Sequence, residues 1–138
     1  MYGRKYILFI MNVRVSMALE KANSMVAQLK RGTLAMLVLY LLQNEDMYGY
    51  QIAQTLDERS EGKLRLIENS LYGTVYRLQR EGYISSKKEE NVARARVFYH
   101  LEPSGEVYLA KLIKEYESIS EGIRLVIGNP AFSQEEIQ

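Results

Sequence analysis

Hydrogen-bond donors gather on one side of the segment Glu68–Glu81. If this segment is a helix, Leu71, Val75 and Leu78 lie together on one face, because they are four and three residues apart. At about 100° per residue, the opposite face holds Asn69, Gly73, Tyr76 and Arg80, flanked by Tyr72 and Arg77. Amide, phenol and guanidinium groups with no acid among them suit phosphate oxygens and the acceptor atoms of base edges. The alternative is an ordinary surface helix whose tyrosines cover neighbouring core.

A second set of donors lies in the segment that follows, around the tip of a predicted β-hairpin. These cations are Lys87, Lys88, Arg94 and Arg96. A basic hairpin tip suits contact with phosphates or with a minor groove. Glu89 and Glu90 lie in the same turn and weaken this electrostatic case. The alternative is a solvated edge hairpin that its lysines protect from pairing with other strands.

The chain lacks the residues that catalysis or metal binding would need. The chain has no cysteine, which excludes disulfides, thiolate metal sites and cysteine nucleophiles. His100 is the single histidine, which argues against a zinc site or a histidine-based triad. The carboxylate pairs Asp57-Glu58 and Glu89-Glu90 are adjacent in sequence and diverge, so they are interpreted as solvated surface. We therefore expect a protein that is not an enzyme, with no catalytic residue, no metal and no cofactor.

Composition and charge limit the class of protein. The chain has 138 residues, 47% hydrophobic and 25% charged, with 11 tyrosines, which suits one folded domain with or without an extension. The net charge is only +1, but it is unevenly spread. It is +5 over residues 1–31, −3 over 32–69, +3 over 70–101 and −4 over 102–138. A basic segment between two acidic ones is a patch that can steer an anionic partner.

The N-terminal residues are interpreted as an extension. The apolar run Tyr6–Met11 is too short for a secretory signal, and no stretch approaches the ~20 apolar residues that span a bilayer. Met11, Met17 and Met25 could each be the natural start of the chain. We therefore expect a cytoplasmic protein without a membrane contact.

Hydrophobic periodicity predicts four helices and two strands. The helices cover residues 17–43, 48–60, 68–81 and 103–127, and the strands cover residues 83–90 and 96–101. Gly82 and Gly128 end the third and fourth helices, and Pro103 suits the first turn of the fourth.

The fourth predicted helix carries an apolar seam. Its members recur at spacings of 3, 4, 3, 4 and 3: Leu109, Leu112, Tyr116, Ile119, Ile123 and Val126. Such an a/d repeat is typical of helices that pair with a partner helix. The core of one small domain cannot cover a helix of this length on every side, so a homodimer is expected. Tyr116 either packs in this seam or forms one wall of a small-molecule pocket between protomers.

Three helices, a hairpin and a long helix, in this order, indicate a mainly α fold with a small β-hairpin. This is the plan of a winged helix-turn-helix with a long C-terminal dimerisation helix. We assign residues 1–25 to the extension, 26–101 to the winged helix-turn-helix, 102–128 to the dimerisation helix and 129–138 to a tail.

Four sequence blocks resemble the PadR family of winged-helix transcriptional regulators. The first is Arg31-Gly32-Thr33-Leu34, and the second is Met47-Tyr48-Gly49-Tyr50-Gln51-Ile52. The third is Asn69-Ser70-Leu71-Tyr72 followed by Tyr76-Arg77-Leu78 and Arg80-Glu81-Gly82-Tyr83-Ile84, and the last is Arg94–Leu101 followed by Gly105. The resemblance runs from about Leu29 to Ile127, and its order and spacing make it specific.

The resemblance implies a homodimeric DNA-binding repressor that acts on a palindromic operator. The third helix would enter the major groove, the wing would touch the flanking backbone, and the last helix would form the dimer. The implied DNA contacts on the third helix are Asn69, Ser70, Tyr72, Tyr76, Arg77 and Arg80. The implied wing contacts are Lys87, Lys88, Arg94 and Arg96. Tyr48 and Tyr50 would contact phosphates or support the packing, and some relatives bind aromatic ligands at the dimer interface.

The chain departs from the family pattern at several positions. Ala93 stands where a glycine is common, and Val97 replaces a wing cation. Ile67 and Glu102 occupy the usual capping positions of the third and last helices, where a cap contributes about 1 kcal/mol. Tyr116 stands where some relatives stack ligands on a tryptophan. The alternative function is therefore a winged-helix module that has lost DNA binding and docks another protein.

Overall fold

The computed structural model describes residues 3–65, 68–89 and 96–128, and for residues 68 and 69 it describes the backbone alone. Its elements, in chain order, are α1 (Gly3–Asn44), β1 (Met47–Tyr48), α2 (Gly49–Arg59), α3 (Glu68–Arg80), β2 (Ile84–Glu89), β3 (Arg96–Leu101) and α4 (Pro103–Ile127). The predicted helices and strands from residue 48 onward agree with these bounds to within one or two residues. The tip of the hairpin, the C-terminal tail and the capping position Ile67 lie outside the described residues.

The core is formed where the C-terminal third of α1 meets the other elements. All five buried residues of α1 lie between residues 34 and 42: Leu34, Val38, Leu39, Leu41 and Leu42. They form one apolar cluster with Ile52 and Leu56 of α2, the buried face of α3, and Leu109 of α4. Each fully buried side chain of this size contributes about 1.5–3 kcal/mol of transfer free energy. This cluster holds α3 against the body, so that its other face is free.

The sheet has one more strand than the sequence predicts. Its strands are antiparallel in the order β1-β3-β2, with Met47 opposite Tyr99 in β1 and Ile84 opposite Leu101 in β2. The prediction of a two-stranded hairpin missed β1 because two residues are too short to show an alternating pattern. Met47 is buried, so the third strand ties the start of α2 to the wing.

The first helix is far longer than expected. The sequence predicts helix from residue 17, whereas α1 runs back without a break to Gly3. Among residues 3–29, only Ile10 and Ala27 are half-buried, and the other side chains are exposed. The helix thus passes through residue 25, where the extension was predicted to end, and the domain boundaries remain predictions.

By length and composition, α1 is also a helix that could cross a membrane. An 18-residue window with at most two charged residues passes this test, and 28% of that window is buried. The sequence has no uninterrupted run of ~20 apolar residues, and the window passes because the test admits up to two charges. A core helix passes the same test, and the buried residues of α1 lie in the protein core.

The junction between the wing and α4 is tightly packed. Glu102 alone separates β3 from α4, and its backbone N–H donates to the Tyr83 carbonyl at 3.0 Å. The Ser104 hydroxyl donates to the Gly82 carbonyl at 2.9 Å, and the Tyr83 and Tyr108 rings stack with centroids 4.1 Å apart. A Cβ on Gly105 would collide with the Tyr83 carbonyl oxygen. These contacts fix the direction in which α4 leaves the domain.

Candidate nucleic-acid interface

Helix α3 is divided into a buried face and an exposed face, as its sequence predicts. Leu71, Val75 and Leu78 are all buried. Thr74 is buried as well, and its hydroxyl donates to the Ser70 carbonyl at 2.9 Å. No sequence pattern singles out Thr74, since a threonine within a helical pattern does not show which group its hydroxyl will bond. With this face held by the core, the other is available to a partner.

The exposed face of α3 carries the predicted donors, and we call it the recognition face: Tyr72, Gly73, Tyr76, Arg77 and Arg80. Tyr72 and Tyr76 are 54% and 68% exposed, and both arginines are exposed. The Arg80 guanidinium lies 3.7 Å from a Glu81 carboxylate oxygen, a long ion pair in solvent that adds little stability. Arg80 therefore remains available to another anion.

Two further predicted contacts lie at the start of α3. Ser70 is half-buried, and its backbone carbonyl accepts the Thr74 hydroxyl. The side chain of Asn69 lies outside the described residues, although its backbone is helical.

The wing is joined to α3 by a polar contact that the sequence did not predict. The Gln79 side-chain amide donates to the Ser86 hydroxyl at 2.8 Å. Lys87 and Lys88 then project from β2 as exposed side chains, and Arg96 is exposed at the start of β3. Arg94 lies outside the described residues. The strand that carries Lys87 and Lys88 is therefore hydrogen-bonded to the helix that carries the recognition face.

An aromatic cluster lies at the base of the wing, centred on Tyr48. Its ring packs edge-on against Phe98 at 4.5 Å and parallel to Tyr50 at 5.8 Å between centroids. The Arg96 guanidinium lies over the Tyr48 ring at 5.6 Å, a cation–π geometry. The Tyr48 hydroxyl donates to a Glu89 carboxylate oxygen at 2.5 Å. Both Glu89 and Arg96 are thereby held by one tyrosine.

These contacts bear on the two roles predicted for Tyr48 and Tyr50, which were phosphate contact and support of the packing. The hydrogen bond to Glu89, followed by desolvation, raises the pKa of Tyr48. Its hydroxyl is already engaged by Glu89, which favours the supporting role over phosphate contact. Tyr50 is exposed on the first turn of α2, where it remains accessible.

Residues Tyr72 and Tyr99 converge on the start of α2. A Cβ on Gly49 would lie 3.6 Å from the Tyr72 ring and 3.7 Å from the Tyr99 ring. Burial, and then the charge of Tyr72, raise the pKa of Tyr99. One edge of the Tyr72 ring thus lies beside Gly49, while more than half of the Tyr72 side chain remains exposed.

The single histidine has a structural contact. Nδ1 of His100 lies 2.7 Å from a carboxylate oxygen of Asp46, which joins β3 to the loop before β1. Within the described residues, no group of three or more histidine, cysteine, aspartate or glutamate side chains is placed to hold a metal ion.

The predicted dimerisation seam is divided between the core and the solvent. Leu109 is buried in the protomer's own core, and Leu112 packs against that core. The remaining seam residues are exposed: Tyr116, Ile119, Ile123 and Val126. The free part of the seam therefore begins at Tyr116, which is 48% exposed.

Comparison with known proteins identifies the family. The sequence profile of the transcriptional regulator PadR-like family matches residues 38–111, more than half of the chain. The chain belongs to the PadR-like family of transcriptional regulators. An uncharacterised protein from Lysinibacillus sphaericus is 30% identical over 96 residues, which cover 69% of this chain and 88% of that protein.

Solved structures of transcriptional regulators share the fold. The PadR family transcriptional regulator from Eggerthella lenta aligns with a TM-score of 0.70 at 28% identity, over 81% of this chain and 97% of that one. A transcriptional regulator from Clostridium thermocellum aligns with a TM-score of 0.66 at 29% identity, over 70% of this chain and 92% of that one. The PadR resemblance and the winged-helix fold expected from the sequence are confirmed. PadR proteins are transcriptional regulators rather than enzymes, which also confirms the expected class.

Proposed function

We propose that this PadR regulator represses transcription by binding a palindromic operator as a cytoplasmic homodimer. Helix α3 selects the sequence in the major groove, and the wing adds affinity on the flanking backbone. The observation that carries the proposal is the recognition face, on which two arginines and two tyrosines project from a rigid helix around a glycine. In the dimer, the two copies of α3 lie about one DNA turn apart, ~34 Å.

The environment of Gly73 supports a close approach to DNA. Apart from its own helix and chain neighbours, no heavy atom of the described chain lies within 4 Å of the place that a Cβ would take. A glycine in a helix costs about 1 kcal/mol relative to alanine. Folding does not require a glycine at this position. Close approach of a groove wall does require a small residue there.

A shift assay tests the proposal. Purified protein is mixed with the DNA upstream of its own gene, at low and near-physiological salt, with random duplex as competitor. We expect a shift that survives the competitor, since base contacts discriminate where phosphate contacts do not. A shift that the competitor abolishes would reduce the site to a basic patch.

The second candidate function is a winged-helix module that docks another protein. The observation that favours it is the wing, where Glu89 lies opposite Arg96 and both contact Tyr48. A wing with paired charges attracts phosphates less than a purely basic one. The absence of any shift, even at low salt, would select this alternative.

We also propose that a small aromatic ligand relieves repression by binding beside Tyr116 at the dimer interface. Tyr116 lies at the inner end of the free seam of α4, the part of α4 that the proposed dimer covers. The probe is benzoate, a simple aromatic acid. It is expected to quench tyrosine fluorescence in the wild type but not in Tyr116→Ala, and equal quenching in both would contradict the site.

A further inference from the structure

The N-terminal part of α1, residues 3–29, is an exposed apolar helix, and we call it the N-terminal arm. It spans about 40 Å at ~1.5 Å per residue. Its large exposed side chains include Tyr6, Leu8, Phe9, Leu19 and Leu29, each more than half exposed. The family profile begins at residue 38, so the arm lies outside the residues that the profile matches. A helix with this much bare apolar surface is normally covered by something else.

The arm carries a regular seam of its own. Residues recur at spacings of 3, 4, 3, 4, 3 and 4, and all are apolar: Leu8, Met11, Val15, Ala18, Ala22, Met25 and Leu29. This is a heptad a/d repeat, the pattern by which one helix packs lengthwise against another. The two alanines at its centre permit a close approach of the partner helix. The free part of α4 has the same 3-4 repeat, from Tyr116 to Val126.

We propose that the N-terminal arm packs along α4 of a second copy of this chain. The inference rests on the homodimer of the proposed function and names a second pair of helices in its interface. Each protomer then contributes one arm and one α4. A symmetric dimer therefore contains two copies of the same contact between an arm and the α4 of the other protomer.

Charge favours α4 as the occupant over a second arm. Residues 3–29 hold four Lys/Arg against one Glu, net +3, whereas α4 holds three against four, net −1. Arg14 and Lys21 flank the seam of the arm on one side, and Glu115 occupies the equivalent flank of α4. In an antiparallel pair these flanks face each other, so arm and α4 attract, while two arms would bring Arg14 and Lys21 together.

Apolar area also favours a second copy. The free seam of α4 has four exposed side chains per protomer: Tyr116, Ile119, Ile123 and Val126. A fully buried side chain of this kind removes roughly 60–120 Å² from water, so eight of them supply at most about 1,000 Å². A stable specific interface buries about 1,200–2,000 Å² in total. The seven seam residues of each arm add apolar area to that total.

A bilayer is the less suitable occupant. Arg14, Glu20 and Lys21 interrupt the arm, and its longest stretches without a charge, residues 6–13 and 22–29, have eight residues each. Charges at the centre of a membrane helix are costly, and about 20 apolar residues are needed to span the hydrocarbon core. The arm also lacks the single strongly polar face of a helix that lies on a membrane surface, because apolar residues surround its first turns.

The test compares two valines of the full-length chain. Val15 is a seam residue, whereas Val13 lies two positions earlier on the opposite side of the helix, and both are exposed. We expect Val15→Lys to weaken dimerisation at least tenfold by sedimentation velocity, while Val13→Lys leaves the dissociation constant unchanged. Equal dissociation constants for Val15→Lys and wild type would overturn the proposal, as would an equal loss in both variants. Thermal unfolding of each variant at one concentration shows that the winged domain is still folded.

Cross-linking identifies the helix that the arm contacts. Because the chain has no cysteine, single cysteines introduced at Ala18→Cys and Ile119→Cys are unique reporters. A short bismaleimide should join the two chains when the variants are mixed, and it should join Ala18→Cys to itself poorly. Preferential self-linking of Ala18→Cys would show that arms pair with each other and would overturn the assignment to α4.

Two outcomes separate this inference from the proposed function. If Ile119→Lys abolishes the dimer and Val15→Lys does not, the dimer through α4 stands and the arm proposal fails. If the wild type is a monomer at micromolar concentration without DNA, the homodimer itself fails. Co-sedimentation of the wild type, but not of Val15→Lys, with phosphatidylcholine–phosphatidylglycerol vesicles would assign the arm to a membrane and overturn its assignment to a second copy.

Discussion

Gly73 separates the requirements of folding from those of binding at a single residue. Its surroundings are open within the described chain, so folding gains nothing from a glycine there. DNA recognition gains a position at which the helix can approach a groove wall. The two effects have opposite signs and are measured independently.

Gly73→Ala should stabilise the protein and weaken operator binding. The free energy of unfolding should rise by about 1 kcal/mol, since alanine replaces glycine inside a helix without a clash. Chemical denaturation measures the stability, and a shift assay measures the operator affinity. If affinity is unchanged while stability rises, the approach of DNA to this position is refuted.

Arg80→Ala and Lys88→Ala distinguish base recognition from phosphate contact. Arg80 lies on the recognition face, so its loss should cost about 1–3 kcal/mol on the operator and less on random DNA. Lys88 lies on the wing strand β2, so its loss should weaken binding to both DNAs alike. Operator affinity that Arg80→Ala leaves unaltered would remove this residue from the recognition face.

At the scale of elements, the sequence predicts helices and strands that have a periodic pattern of apolar residues. It does not predict strands that are too short for a pattern or helical turns that have no polar face. Helix α3 shows a buried face of three residues at helical spacing, and the structure confirms it. Strand β1 has two residues and no period to detect. The first part of α1 has apolar residues beside its seam as well as on it, and without a clear polar face its sequence predicts helix only from residue 17. The side-chain contacts Gln79–Ser86 and His100–Asp46 join different elements, so no local sequence pattern predicts them.

The junction of α4 with the wing predicts the effect of Gly105→Ala. A Cβ there would collide with the Tyr83 carbonyl oxygen and lie 2.6 Å from a Leu101 methyl carbon. Backbone must then move, and overpacking of this kind costs typically about 1–3 kcal/mol. Denaturant unfolding at fixed protein concentration measures the loss.

Gly122→Ala is the matched control in the same helix. Beyond its own helix and chain neighbours, no atom of the described chain lies within 4 Å of a Cβ at Gly122. This variant should gain about 1 kcal/mol from helix propensity. Equal effects of the two substitutions would mean that the close contact at Gly105 does not govern the stability of the junction.

At the scale of the whole molecule, charge sets a limit on DNA binding. Six cations per protomer belong to the segment from residue 77 to residue 96: Arg77, Arg80, Lys87, Lys88, Arg94 and Arg96. A dimer can therefore neutralise at most ~12 phosphates, and the log–log salt slope should be no steeper than about −11. Arg96 already lies over Tyr48, which reduces the number further. A titration of operator affinity against salt measures the slope, and a steeper value would require DNA contacts elsewhere on the chain.

The single residue between β3 and α4 has a consequence for the DNA itself. With Glu102 as the whole connection, and with Gly105 and the Tyr83–Tyr108 stack beside it, α4 cannot swivel against the winged domain. In a dimer joined through α4, the distance and the relative orientation of the two α3 helices are therefore fixed. Each base pair inserted between half-sites turns one of them by about 35° around the duplex. The proposed dimer is therefore expected to reject operators whose half-sites are spaced wrongly rather than to adapt to them.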